Sequence, residues 1–187
     1  PLPIGMPVTG MSPSGTTLCA VICCYTAARW ELLIDGIGVA GAQLRTGDRV
    51  VVVVDHNADL QARLIRHFGA AGAFPAVDAP DLHIVANTHT QGLSGARNTG
   101  MTNADQDVLV YLDDDALLRP GSLAQLRSVI ESRPEVVAVG GGVHAAWEGG
   151  APRWFPDEFG WVVGCDYRGI AASGSQVRNP IGAAMAV

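Results

Sequence analysis

Arg49-Val50-Val51-Val52-Val53-Val54-Asp55-His56-Asn57-Ala58 is the stretch on which the fold turns. A run of valines with no polar alternation suits a β-strand covered on both faces rather than one with a wet side. Immediately after it, residues 58–68 place Leu60, Leu64, Ile65 and Phe68 at helical spacing. A doubly buried strand feeding an amphipathic helix is the unit of a parallel sheet with helices on its faces.

The same phrase repeats on either side. Leu18 to Cys24 reads as a strand and Arg29 to Gln43 as a helix; His83 to Ala86 reads as a strand, and Leu93 to Asn103 as a helix opened by a glycine-rich turn. Val108 to Leu112 reads as a strand. Ser122 to Arg133 follows as a helix, with Pro120 and Gly121 at its entry and Pro134 at its exit, and leads to a strand at Val136 to Val139. The expected fold is therefore α/β, a three-layer sandwich of the Rossmann-like kind with a mostly parallel central sheet. After Gly140 the composition shifts to glycine, proline and aromatic residues, including Trp147, Trp154 and Trp161. Three segments are expected: a flexible lead-in over 1–17, an α/β unit over 18–140, and a loop-rich region over 141–187. The chain starts at Pro1 and stops at Val187 within an apolar phrase, so a piece of something longer is expected.

Composition narrows the function classes. The chain has 187 residues, a net charge of −6, 12 basic residues and no lysine, which argues against a nucleic-acid-binding surface. No apolar run approaches the roughly 18–20 residues of a membrane span. Cys23 and Cys24 are adjacent in a strand and point to opposite faces, and Cys19 and Cys165 form no close pair with them, so free thiols in a reducing compartment are expected.

In an open parallel sheet, ligands collect beyond the carboxyl ends of the strands. The residues there are Tyr25 and Thr26, with Arg29 opening the helix; Asp55, His56 and Asn57; Asn87 with the Gly92 to Gly100 turn; and Asp113, Asp114 and Asp115. Three successive carboxylates repel one another unless a cation neutralises them, and hard oxygen ligands suit Mg²⁺ or Mn²⁺. An acidic turn before the helix at Ser122 is the plainer reading of the same residues. Asp55 is placed to accept hydrogen bonds from a base or ribose, or to cap the helix as Asn57 equally could. Tyr25 is placed to stack on a base. The glycine-rich helix entry suits phosphate, although it is neither a Walker loop nor GxGxxG.

Taken together, these segments resemble the donor half of a family 2 glycosyltransferase of the GT-A fold, from Leu18 to Val187. Cys23-Cys24-Tyr25-Thr26 stands where that family has a Pro-x-Tyr-Asn phrase, and Asp55 stands where its second strand ends in a base-binding aspartate. Gly92-Leu93-Ser94-Gly95-Ala96-Arg97-Asn98-Thr99-Gly100 matches its Gly-x-x-x-Ala-Arg-Asn-x-Gly segment, and Asp113-Asp114-Asp115 followed by Pro120 matches its DxD metal motif. Arg178 to Met185 resembles the Gly-Ala-x-Met strand on the acceptor side. The resemblance implies a nucleotide-sugar donor (UDP-, GDP- or dTDP-linked) bound by Cys24, Tyr25, Thr26, Asp55, Gly92, Ala96, Arg97, Asp113 and Asp114. It implies a divalent cation on Asp113 and Asp115, and an inverting transfer to a glycan, lipid-linked or small-molecule acceptor. It places the 18–140 unit on the donor and opens an acceptor side at 141–187. A cytoplasmic location, peripheral to the membrane, is expected. The general base is expected beyond Val187; Asp157, Glu158 and Asp166 are substitutes within the chain, each equally readable as a surface acid. The competing function is a nucleotide-sugar-binding module without turnover. A receiver-like phosphotransfer domain would require a lysine opposite its acids and is set aside.

Overall fold

The structure is a computed structural model and describes residues 15–69, 74 and 79–187. Residues 1–14 of the expected lead-in lie outside the described ones. Thr16 and Thr17 are held in place: both the amide and hydroxyl of Thr17 donate to Asp107, and the Thr16 amide donates to Glu131.

The elements run β1 (Leu18–Cys24), α1 (Trp30–Gln43), β2 (Arg49–Val54), α2 (Ala58–Phe68), β3 (Asp81–Ala86), α3 (Leu93–Thr102), β4 (Val108–Asp113), α4 (Ser122–Ser132), β5 (Val139–Gly140) and β6 (Ala184–Ala186). A 3₁₀ turn over Ala27–Arg29 leads into α1, and a second spans Asp157–Val163. The sheet has six strands in the order β3-β2-β1-β4-β6-β5. Its first four strands are mutually parallel, while β6 runs antiparallel to both β4 and β5. The expected mostly parallel α/β sheet is the observed one.

Strand alternation divides the core. Ala20, Ile22, Val50, Val52, Val110 and Leu112 face one side, where Leu33 and Ile37 of α1, Leu60 and Leu64 of α2, and Leu123 and Leu126 of α4 cover them. Cys19, Val21, Val51, Val53 and Tyr111 face the other, against Ala96 of α3. Every valine of β2 is sealed, which explains the missing alternation. Gly100 lets α3 lie this close, since a Cβ there would overlap the Val21 side chain.

One strand differs from expectation. Val136 to Val139 was expected as a strand, but β5 is only Val139–Gly140. The Val136 amide closes a turn onto the Arg133 carbonyl and Val137 stands exposed, so only the end of this valine-rich run, Val139, reaches a sheet partner, Ala186 of β6. Of the expected Arg178 to Met185 strand, only its end forms β6.

Candidate functional site

The carboxyl ends of β1, β2 and β4 open into a cavity of about 580 Å³ lined by Cys23, Cys24, Tyr25, Arg29, Asp55, Gln91, Gly92, Leu93, Ala96, Asp113, Asp114 and Asp115. Register brings these ends together: Cys23 pairs with Val53 on one side and Asp113 on the other, and the Asp55 amide donates to the Cys24 carbonyl. Seven of the donor-side residues expected from the sequence therefore share one wall with Asp115: Cys24, Tyr25, Asp55, Gly92, Ala96, Asp113 and Asp114.

Asp55 is buried at the base of this cavity. Its Oδ1 accepts from Asn87 Nδ2 at 2.6 Å and lies 2.8 Å from His56 Nδ1, and its Oδ2 accepts from the Gly92 amide at 2.8 Å. Burial pushes this carboxyl up, but the bonds from Asn87, His56 and Gly92 outweigh it and hold the group below the usual carboxylate range. Asn87 is itself fixed, donating to the Thr90 carbonyl and accepting from the His89 amide and the Thr99 hydroxyl. Gly92 takes a φ of 121°, a conformation that residues with a Cβ rarely adopt, and this aims its amide at Asp55. Asn57 supplies the helix cap, accepting from the Leu60 amide, so Asp55 is not spent on capping.

The three aspartates have different surroundings. Asp114 is buried and takes both oxygens to Arg29 Nη2, at 2.8 and 3.0 Å. Asp113 and Asp115 keep side chains 36% and 49% exposed; Asp113 lies 3.6 Å from Arg97 and Asp115 lies 3.6 Å from Arg29. Burial pushes the carboxyls of both Asp113 and Asp114 above the usual range, against the pull of Arg97 on the first and Arg29 on the second. Among the described residues no three His, Cys, Asp or Glu side chains are grouped as a ready-made metal cage. The two outer carboxylates on the cavity wall do fit an ion that keeps waters and takes phosphate oxygens for the rest of its shell.

Tyr25 is 58% exposed on the wall, with the Arg29 guanidinium 5.5 Å from its ring centre. Burial pushes the thiols of Cys23 and Cys24 up to about 12, so both stay neutral, and all four cysteines are unpaired.

Thr26 and Arg97 lie off the wall. The Thr26 hydroxyl accepts from the Ala28 amide and caps the 3₁₀ turn, while Arg97 donates to the Gly182 carbonyl and lies over the Tyr111 ring, holding the lead into β6 beside β4. Asp157 and Glu158 both bond Arg168 on the surface, and Asp166 accepts from the Val143 amide. None of these three acids lines the cavity. Two residues gain importance from the fold. In the sequence Arg29 is legible only as a helix opener, and Asn87 only as a polar residue beyond the third strand; pairing with Asp114 and Asp55, far away in sequence, reveals them.

Comparison with known proteins agrees with this geometry. The family described as glycosyl transferase family 2 matches residues 19–184. The glucosyl-dolichyl phosphate glucuronosyltransferase of Haloferax volcanii is 34% identical over 162 residues, 87% of this chain and 49% of the relative. The chain thus spans about half the length of that curated relative. Among solved structures, mannosyltransferase PcManGT from Pyrobaculum calidifontis, in complex with GDP-Man and Mn²⁺, superposes with a TM-score of 0.58 at 23% identity, covering 71% of this chain and 37% of that one. S. aureus TarS 1–349 in complex with UDP-GlcNAc gives 0.56 at 14% identity, covering 76% and 38%. From β1 to β6, then, this chain is a GT-A fold, and it belongs to glycosyl transferase family 2.

Proposed function

We propose that the chain is the donor-binding part of a metal-dependent, inverting glycosyltransferase that uses a nucleotide-diphosphate sugar. The observation that carries this reading is the convergence of Asp55, Tyr25, Asp113 and Asp115 on one cavity at the carboxyl ends of parallel strands. Tyr25 offers a ring face to the base and Asp55 an acceptor to its edge. Gly92 and Ala96, at the entry of α3, leave room for the donor's backbone-facing side. Asp113 and Asp115 would hold Mn²⁺ or Mg²⁺, which when bound supplies the Lewis acidity that stabilises a departing diphosphate. Asp114, tied to Arg29, fixes the turn that presents its two neighbours. For an acidic protein binding a polyanion, this division of labour keeps the two outer carboxylates available for a cation.

Inversion requires an acid that deprotonates the acceptor hydroxyl. Asp157, Glu158 and Asp166 are engaged elsewhere, so none of the three is placed to be that acid; the alternative reading is a binding module without turnover. The acceptor we propose is lipid-linked, because the curated relative is named for one and because Trp154, Phe159 and Trp161 present exposed aromatic surface in the 141–187 region. No described helix is long and apolar enough to cross a membrane, and the unpaired thiols suit a cytoplasmic protein peripheral to it.

Thermal unfolding with UDP- and GDP-sugars, with and without Mn²⁺, tests the proposal. Saturating donor at roughly 100 times its Kd should stabilise by about 2.7 kcal/mol. The gain should require Mn²⁺ and vanish in Asp115→Asn. If no nucleotide sugar raises the unfolding temperature in the presence of Mn²⁺, the proposal fails; metal-linked binding with no transfer to any lipid-linked acceptor would select the module.

A further inference from the structure

Charge is unevenly placed around the donor cavity. Asp55, Asp113, Asp114 and Asp115 line it, and among the described residues Arg29 is the only cationic side chain on the wall. A nucleoside diphosphate entering there needs hydrogen-bond donors as well as a metal ion. The Gly92 amide, placed at the entry of α3 where anions are commonly held, is already given to Asp55, and Arg97 donates to the Gly182 carbonyl from off the wall.

Arg29 is not spent in this way. A guanidinium presents its N–H donors in a fixed fork. Both bonds to Asp114 leave from Nη2, at 2.8 and 3.0 Å. Nε is buried without a hydrogen-bond partner, and Nη1 makes only an ion contact, 3.6 Å from Asp115. The same guanidinium lies 5.5 Å from the centre of the Tyr25 ring. Arg29 thus joins the platform proposed for the base to the carboxylate proposed for the cation, and the phosphates of a nucleoside diphosphate belong between those two points.

We infer that Arg29 is a diphosphate-binding residue, anchored on Asp114 through Nη2 and offering Nη1 to a phosphate oxygen of the donor. This rests on the donor site proposed above. Nη1 shields Asp115 until that carboxylate turns to a divalent cation, and is then free to face the cavity. Asp114, buried and bound through both oxygens, keeps the guanidinium in place while Nη1 changes partner. The arrangement has opposite consequences for the two ligands. Arg29 opposes the cation, because its charge sits beside Asp115, and favours the diphosphate, because no other cation lines the wall among the described residues. A residue that merely braced the turn would support both.

Two titrations of Arg29→Gln test this: Mn²⁺ alone, followed by the electron paramagnetic resonance of the free ion, and UDP and GDP at saturating Mn²⁺, followed by calorimetry. Mn²⁺ alone should bind about fivefold tighter, the effect of removing one charge beside a half-exposed carboxylate. Whichever of UDP and GDP the unaltered chain binds better should bind about tenfold weaker, the loss of one hydrogen bond between charged groups. Because Arg29→Gln leaves the buried Asp114 without its counter-charge, Arg29→Gln combined with Asp114→Asn is measured beside it, where two amides keep a neutral hydrogen bond. The double variant should still bind Mn²⁺ and show the same loss of nucleotide affinity. Mn²⁺ affinity that fails to rise in a folded Arg29→Gln, or undiminished nucleotide affinity in the double variant, would overturn the role of Arg29 alone. Binding of neither UDP nor GDP to the unaltered chain would overturn the donor site as well.

Discussion

Two arginine-carboxylate clusters of the same chemistry sit in opposite halves of the molecule. In the first half, Arg127 of α4 reaches Asp48 at 2.6 Å beneath the sheet, and Asp48 is fully buried. In the second, Arg168 bonds Asp157 at 2.9 Å and Glu158 at 2.8 Å with every partner in solvent. The surroundings follow the same division. Residues 18–132 supply nearly all of the sealed core on both faces of the sheet, whereas Val137, Trp154, Trp161 and Val162 stand exposed after α4. An identical pairing should thus be worth very different amounts in the two halves, because desolvation, not charge, sets what is lost when a partner is removed.

The largest effect should come from Asp48→Ala. Asp48 accepts from the Leu18 and Arg45 amides as well as from Arg127, so it ties the start of β1, the end of α1 and α4 into one knot. Its loss leaves a nearly buried guanidinium uncompensated, which typically costs about 3–5 kcal/mol. Chemical denaturation at neutral pH measures it. A loss under about 1 kcal/mol would mean the first half is no more tightly knit than the second.

Asp55→Asn should rank next. Oδ1 and Oδ2 both face donors, so an amide must turn its NH₂ toward either the Gly92 amide or the Asn87 and His56 pair, leaving a donor unsatisfied at about 1–3 kcal/mol. The pH dependence has a definite sign. The folded-state pKa lies below the ordinary 3.8, so the carboxylate's contribution is complete above that value and disappears as pH falls through the lowered one. The stability gap between the parent and Asp55→Asn should therefore narrow on acidification below about pH 4. A gap that widens would show that Asp55 is stabilised as an acid.

What the sequence discloses follows the same division. β1, β2 and α2 begin and end where periodicity puts them, because sealing on both faces writes an unbroken apolar run and a clean helical stripe. Val136 to Val139 carries a comparable apolar signal, yet only Val139 enters a strand, because the residues before it meet no neighbour to pair with. In the cavity, Asp55 and Asp113 to Asp115 are legible since strand ends mark them. The partition of the triplet is not: that Asp114 belongs to Arg29, 85 residues earlier, depends on β1 pairing with β4, which brings the 3₁₀ turn after β1 beside the end of β4. Thr26 and Arg97 are legible as motif residues, yet they support the cavity from behind it.

The smallest effect should come from Arg168→Ala. Arg168 is 68% exposed and its two acids are 76% and 49% exposed, so removing it uncovers no buried charge and strands no buried acceptor. Exposed pairs of this kind contribute about 0–1 kcal/mol, less at high salt, since the gain in attraction is offset by screening and by ordering long side chains. Denaturation of Arg168→Ala alongside Asp48→Ala, at low and high salt, compares the halves directly. The expected result is a small loss that salt abolishes, with Mn²⁺-dependent nucleotide binding unaltered because neither acid touches the cavity. A loss approaching that of Asp48→Ala would mean the 3₁₀ turn Asp157–Val163 is a structural keystone in its own right, its exposed aromatic residues Phe159 and Trp161 held in place by that arginine.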